Sequence, residues 1–251
     1  MKKTALITGA TSGIGRAIAA RLAEEGYRLV ITGRRGDRLE AVAKELSAKT
    51  EVLPLVFDVR LKEEVEKYLG NLPALWQDID VLVNNAGLAA GLEPLQTGLI
   101  DDWERMIDTN VKGLLYVSRT ILPGMIARCK GHVFNLGSIA GKETYMNGNV
   151  YCATKHAVDS LSRSMRMECL PYGIKVTQIC PGAVETEFSE VRFHGDRERA
   201  SGVYKGFTPL RGEDIAGLVA YCVNLPDHVC LNDIVVMPTA QANSGNFHKV
   251  L

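Results

Sequence analysis

"TALITGATSGIGRAIAARLAEEGYRLVITGRR", Thr4 to Arg35, packs a strand, a glycine turn, a helix and a second strand into one run. "TALIT" is short, apolar and rich in strand formers. From Gly13 to Glu25 the apolar residues recur at helical spacing, with Ile14, Ala17, Ile18 and Leu22 on one face. "YRLVIT" returns to a strand. Strand, crossover helix and strand in so short a span form a parallel βαβ unit, and that decides the fold.

The alternation continues along the chain. "EVLPLVF", "DVLVNN", "HVFNL", "KVTQIC" and "DIVVM" read as further strands, the first weakened by Pro54. Between them lie helical patterns: "RRGDRLEAVAKELSAK" with Leu39, Val42, Ala43 and Leu46 inward, "EEVEKYL", Asp101 to Cys129, Val150 to Leu170, and Arg211 to Leu225. The expected fold is α/β: a Rossmann-type, doubly wound parallel sheet of about seven strands. No repeat, low-complexity run or linker interrupts it, so residues 1–251 read as a single domain.

Two segments break the rhythm. Residues 184–208 form a long polar stretch after the sixth strand, and loops of that length in a compact domain are usually functional. The tail "QANSGNFHKVL" is small and polar, suited to fraying or to docking on a partner.

Lysine plus arginine and aspartate plus glutamate each total 29, so no net charge recruits nucleic acid or an anionic membrane. Six cysteines lie scattered without CxxC spacing and read as reduced, space-filling thiols. The five histidines show no ligand spacing, so no metal is expected. No run is apolar enough to span a bilayer, and the opening "MKKTALITGA" is too short a run for a signal sequence. A cytoplasmic location is the expectation.

"TGATSGIG", Thr8 to Gly15, falls between the first strand and its helix. Gly9, Gly13 and Gly15 permit a tight turn and close approach of backbone to phosphate, and the helix N-terminus offers unpaired amides. In this strand–turn–helix setting the loop, with Thr11, Ser12 and Ile14, reads as a dinucleotide cradle. About twenty residues on, an acidic side chain would bind the ribose hydroxyl of NAD. Here "TGRR" places Arg34 and Arg35 instead. Guanidinium groups suit a 2′-phosphate, so NADP is the expected cofactor.

"TGATSGIG", "NNAG" (84–87), Asn110 in "DTNVKG", Ser138 in "NLGSIAG", Tyr151-x-x-x-Lys155 and Pro181–Gly182 with Thr186 appear in one order. In that order they resemble the short-chain dehydrogenases/reductases over essentially the whole chain. "LVNNAGLAAGLEP", "WERMIDTNVKGLLYVSR", "LPGM", "TEFSEVRFHGD" and "MPTAQ" further resemble the NADP-dependent serine and 3-hydroxy acid dehydrogenases. The resemblance implies that Tyr151 is the general acid/base, that Ser138 binds the substrate oxygen, and that Lys155 supports the phenolate and the nicotinamide ribose. Asn110 is implied to hold a water in a proton relay. Asn84, Asn85, Ala86 and Gly87 resemble the segment on the adenosine side. Asp58 with Val59 falls near adenine, and Pro181, Gly182, Val184 and Thr186 fall near the carboxamide. A homotetramer is also implied.

A free phenol ionises near pH 10, so bringing Tyr151 towards 7 needs roughly 4 kcal/mol of help, which Lys155 together with the positive nicotinamide of an oxidised cofactor can supply. Arg192 in the 184–208 loop has two open roles: it binds a substrate carboxylate, or it tethers the loop. Cys152 fills space and is assigned no catalytic role. The reaction implied is hydride transfer between short 3-hydroxy acids (serine, allo-threonine, 3-hydroxypropionate type) and their 3-oxo acids or semialdehydes. The alternatives are reduction of another carbonyl (sugar, steroid or acyl thioester) or a non-catalytic NADP-binding regulator. A regulator has no use for Ser138, Tyr151, Lys155 and Asn110 together.

Overall fold

The computed structural model describes residues 2–250. The first βαβ unit forms as read: β1 (Thr4–Ile7), α1 (Gly13–Glu24), β2 (Arg28–Gly33). Then come α2 (Gly36–Leu46), β3 (Val52–Val56), α3 (Lys62–Leu69) and β4 (Ile79–Asn84). The second half runs α4 (Ile100–Ile107), α5 (Leu114–Ala127), β5 (His132–Leu136), α6 (Asn149–Cys169) and β6 (Lys175–Pro181). Two short helices, α7 (Phe188–Arg192) and α8 (Arg197–Gly202), precede α9 (Gly212–Val223) and β7 (Asp233–Val236).

All seven strands pair in parallel in the order β3-β2-β1-β4-β5-β6-β7. Alternation along each strand sorts side chains into two apolar layers. Ala5, Ile7, Leu29 and Ile31 face one layer with Ile18 of α1, Leu39 of α2 and Val219 of α9. Leu6, Val30 and Leu82 face the other with Val65 of α3, Val117 of α5 and Val158 of α6. Pro54 is tolerated because β3 is an edge strand paired only with β2.

Three features depart from the sequence reading. The region from Asp101 to Cys129 is two helices joined by one widened π-type turn, Asp108–Gly113, not one regular helix. Residues 184–208 are not simply loop: they contain α7 and α8, whose five and six residues are too few to show a helical period. The tail is not frayed up to Val250, since it packs on its own chain. The Gln241 Oε1 accepts from Ala183 N at 2.8 Å, Val250 N donates to Gly206 O at 2.9 Å, and Phe247 meets Phe207 with centroids 5.2 Å apart. Leu251 lies outside the described residues.

A buried polar ladder crosses the second layer. Asn84 Nδ2 donates to Asn135 Oδ1 (2.9 Å) and Ser118 Oγ (3.0 Å), and Asn135 Nδ2 donates to Ser162 Oγ (2.9 Å). It ties β4 and β5 to α5 and α6 in one register, because each amide left unpaired there would forfeit its solvation.

His132 on β5 is buried with Nε2 2.8 Å from Thr177 Oγ1, and burial, aided by the Lys175 charge, pulls its pKa down to about 3. Between that value and the ordinary histidine range near 6.5, the unfolded chain binds a proton that the folded chain does not. Stability from this group is therefore complete above about pH 6.5 and is lost as pH falls towards 3, by up to about 1.4 kcal/mol per pH unit. Thermal melts across pH 3 to 7 should show His132→Asn with a flatter acid limb than the parent. Parallel limbs would refute the assignment.

Candidate active site

The strand order reverses between β1 and β4, and open α/β sheets bind ligands in the crevice at such a point. Gly9 (φ +69°) and Gly13 (φ +53°) take backbone conformations that other residues resist. A Cβ on Gly15 would lie 2.5 Å from Gly9 O, so the turn closes only around glycine. The facing turn after β4 is locked to it. Asn85 Nδ2 donates to Thr8 O (2.8 Å) and Gly9 O (3.2 Å), while Asn85 N and Ala86 N donate to Thr8 Oγ1 (3.0 and 2.9 Å). Asn84, by contrast, points inward to the polar ladder, so of the two asparagines only Asn85 borders the crevice.

The arginines divide. Arg35 Nη2 donates to Thr11 Oγ1 (2.9 Å) and Ser12 Oγ (2.7 Å), which sets its guanidinium beside the glycine turn. Arg34 instead turns to Asp58, with Nη1 3.7 Å from Oδ2. Burial alone would raise the Asp58 carboxyl, but hydrogen bonds from Arg60 and the charges of Arg34 and Arg60 bring it below the usual range. Val59 is buried in the second apolar layer, so only its backbone can border a ligand. Arg38, which the sequence reading passed over, stands one turn after Arg35 and meets the same carboxylate, Glu187 (Nη1 to Oε1 2.6 Å; Arg35 Nη1 to Oε2 2.7 Å). The i, i+3 spacing was a signal for Arg38. Nothing in sequence pointed to Glu187.

Ser138, Tyr151, Lys155 and Asn110 converge at the carboxyl ends of β4 and β5. Ser138 follows β5 and caps a short 3₁₀ turn by accepting from Ala140 N at 3.1 Å. Tyr151 and Lys155 occupy successive turns of α6, with Nζ 6.0 Å from the Tyr151 ring centroid. Lys155 Nζ donates to Leu136 O at 2.8 Å. Asn110 lies in the π-type turn, which widens the helix and aims the amide inward. Its Oδ1 accepts from Leu88 N (2.9 Å), and Nδ2 donates to Leu88 O (2.8 Å) and Thr154 Oγ1 (3.0 Å). A Cβ on Gly87 would lie 3.2 Å from Asn110 Oδ1 and 3.6 Å from Lys155 Nζ, so Gly87 keeps the space between them open.

The electrostatics run against the simple view of a lysine lowering a phenol. Burial pushes the Tyr151 phenol well above its ordinary range, helped by Tyr145, while the neighbouring Ser138 hydroxyl and Arg192 charge pull it partly back. Burial also pulls Lys155 down to about 8. Both groups are buried side by side, and desolvation is the largest cause of each shift. A positive charge brought into the crevice would favour loss of the phenolic proton.

Beside Tyr151 lies a small cleft walled by Gly91, Trp103, Met106, Asn149 and Arg192. Arg192 is held over it: Nη2 donates to Tyr145 Oη (2.8 Å), Nε to Gly91 O (3.4 Å), and Cζ stands 5.6 Å from the Tyr151 centroid. The same segment places Phe188 edge-on to Tyr151 and His194 Nε2 3.0 Å from the buried Asp102 Oδ2. Pro181 ends β6 and Gly182 follows it, with Gly182 N donating to Val236 O at 2.8 Å. Val184 bridges Leu210, and the Thr186 methyl would be 3.1 Å from a Cβ on Gly13, which puts Thr186 across the glycine turn. Cys152 is buried among Leu88, Ala140 and Met106, as core filling requires. No group of three potential metal ligands occurs among the described residues.

A glycine-cradled nucleotide crevice beside a serine, a tyrosine and a lysine defines an oxidoreductase of the doubly wound class. The chain belongs to the short chain dehydrogenase family, whose sequence profile matches residues 3–196. It is 48% identical over 241 residues to the NADP-dependent 3-hydroxy acid dehydrogenase YdfG of Salmonella typhi, covering 96% of each chain. It is 44% identical over 246 residues to sulfoacetaldehyde reductase 2 of Chromohalobacter salexigens, covering 98% of each. Among solved structures, the closed form of serine dehydrogenase complexed with NADP+ superposes with a TM-score of 0.92 at 44% identity, over 98% of this chain and 100% of that one.

Asn110→Ala removes three hydrogen bonds and strands both backbone groups of Leu88 in the interior. The expected cost is about 2–4 kcal/mol, a fall in Tm of about 5–12 °C by scanning fluorimetry. A melt within a degree of the parent would show that water replaces the amide freely.

Proposed function

We propose that the chain is an NADP-dependent oxidoreductase that interconverts short 3-hydroxy acids with their 3-oxo acids or semialdehydes. The observation that carries this reading is the Arg192 guanidinium fixed over the phenol of Tyr151. An anion-binding fork and a proton-transfer group set side by side suit a small acid whose hydroxyl lies a short distance from its carboxylate. The family membership and the relatives above support the same reading.

The glycine turn, Thr11, Ser12 and Arg35 fit a dinucleotide phosphate backbone. Arg35 and Arg38 fit a 2′-phosphate, and the cradle admits no Cβ at Gly15. NADP bound there supplies the hydride acceptor or donor and, when oxidised, a positive ring charge. The chain's own residues do the rest. Ser138 Oγ binds the substrate oxygen and stabilises charge that builds on it. Tyr151 Oη takes the hydroxyl proton in oxidation and returns it in reduction. Lys155, its own proton loosened by burial, stabilises the phenolate, and Asn110 holds the Leu88 backbone that floors the pocket. Arg192 orients the substrate, and the 184–208 segment that carries it excludes water.

The assembly in this reading is a cytoplasmic homotetramer with no nucleic-acid or membrane partner. No helix among the described residues is long and apolar enough to cross a membrane. Leu99, Ile100, Ile107 and Leu115 on and beside α4 and α5, and Val235 on the edge strand β7, present exposed apolar side chains that a subunit contact would cover. Light scattering should return four times the 27.4 kDa chain mass; a monomer would remove this part of the reading.

Activity should be measured with NADP(H) across L-serine, L-allo-threonine, 3-hydroxypropionate, malonic semialdehyde and sulfoacetaldehyde, with sugar, steroid and acyl-thioester carbonyls as contrasts. The 3-hydroxy acids should lead, Tyr151→Phe should lose at least ~100-fold in turnover, and Arg192→Ala should raise the acid KM at least ~10-fold with NADP affinity retained. A preference for uncharged carbonyls, or equal loss of both affinities in Arg192→Ala, would overturn the substrate assignment.

A further inference from the structure

Glu187 stands at the start of α7, between Thr186, which crosses the glycine turn, and the helix that ends in Arg192. Its two carboxylate oxygens are shared out: Oε2 accepts from Arg35 Nη1 at 2.7 Å and Oε1 from Arg38 Nη1 at 2.6 Å. These contacts span 152 and 149 residues of chain and cross the mouth of the nucleotide crevice. The Arg35 hydrogen bond, followed by that of Arg38, holds the Glu187 carboxyl below its usual range, so it is an anion here. Arg35 is fixed independently by Thr11 and Ser12, so its guanidinium is preset for an anion whether or not Glu187 is the one it meets.

We propose that Glu187 fills the anion seat between Arg35 and Arg38, so that a cofactor's 2′-phosphate must displace it. The inference rests on the NADP reading and deepens it by naming the side chain that competes for the phosphate's seat. A phosphate brings nearly twice the charge of a carboxylate and three acceptor oxygens, so it wins the contest for two guanidiniums. All three side chains are two-fifths to one-half exposed, and ion pairs of that kind are worth little individually. The latch is thus weak enough to yield to a ligand. A 2′-hydroxyl carries no charge to offer the arginines, so a cofactor lacking the phosphate leaves Glu187 seated. Arg34, committed to the Asp58 side, takes no part.

The test uses the full chain and two probes without a nicotinamide, 2′,5′-ADP and 5′-AMP, titrated by calorimetry. The parent should prefer 2′,5′-ADP. Glu187→Gln should tighten 2′,5′-ADP about fivefold and leave 5′-AMP within about twofold, and Glu187→Ala should do the same. If the parent prefers 2′,5′-ADP but neither variant gains affinity, the latch is overturned while the cofactor reading stands. If the parent shows no preference, the cofactor reading falls and takes the latch with it.

Discussion

The interlock of two turns at the reversal point of the sheet is the constraint on which the rest depends. The Thr8 hydroxyl accepts from two successive amides of the opposite turn, and the Asn85 side chain returns two bonds to the Thr8 and Gly9 carbonyls. Four hydrogen bonds thereby hold the ends of β1 and β4 at one spacing, and that spacing is the width of the crevice. The glycines are the steric counterpart of the same lock. A methyl group on Gly15 would meet Gly9 O, and one on Gly9 would meet the Ala86 Cα at 3.0 Å. Side chains are excluded there because backbone already fills the space, and that leaves amides as the surface offered to a phosphate.

A second consequence concerns charge. The polar ladder through Asn84, Asn135 and Ser162 packs β4, β5, α5 and α6 tightly enough to bury Tyr151 and Lys155 together. Burial disfavours the phenolate and the ammonium alike, so the site in isolation holds a neutral phenol beside a lysine with a weakened grip on its proton. Such a pair is responsive: each neighbour that adds or removes charge shifts it further than it would at a wet surface. The protein supplies the low dielectric and the geometry, and the charge that tips the balance is left to what binds.

How much of this was legible in the sequence follows from the range of each interaction. Periodicity is local, so all seven strands and the principal helices could be read, with ends displaced by up to three residues. Tyr151 and Lys155 could be placed together because a helical turn sets their spacing. Ser138 and Asn110 could be placed only through the family resemblance, since sheet pairing brings them in. The π-type turn at Asp108–Gly113 left no mark in the apolar pattern, although it is what turns Asn110 inward. The upward pull of burial on Tyr151 was not legible for a related reason. A lysine four residues away is visible in sequence, whereas the desolvation that outweighs it comes from residues scattered over the whole chain.

The segment after β6 illustrates the same division and shows what it means for function. Composition marked residues 184–208 as polar and long but gave no anchor. In the fold the stretch is fastened at three places: Glu187 to the arginines of the nucleotide side, Arg192 and His194 to Gly91 and Asp102 on the substrate side, and Gly206 to the returning tail. The first fastening is half-exposed and electrostatic, so it costs little to undo, whereas the second includes the buried Asp102 carboxylate. The third rests on Phe207 and Phe247, packed at a tilt with the Lys249 ammonium over both rings, an apolar anchor that charged ligands do not compete for. A strap held firmly at its base and lightly on the nucleotide side yields first where an anion can compete for the arginines, so its response to a ligand is set by this segment rather than by the sheet beneath it.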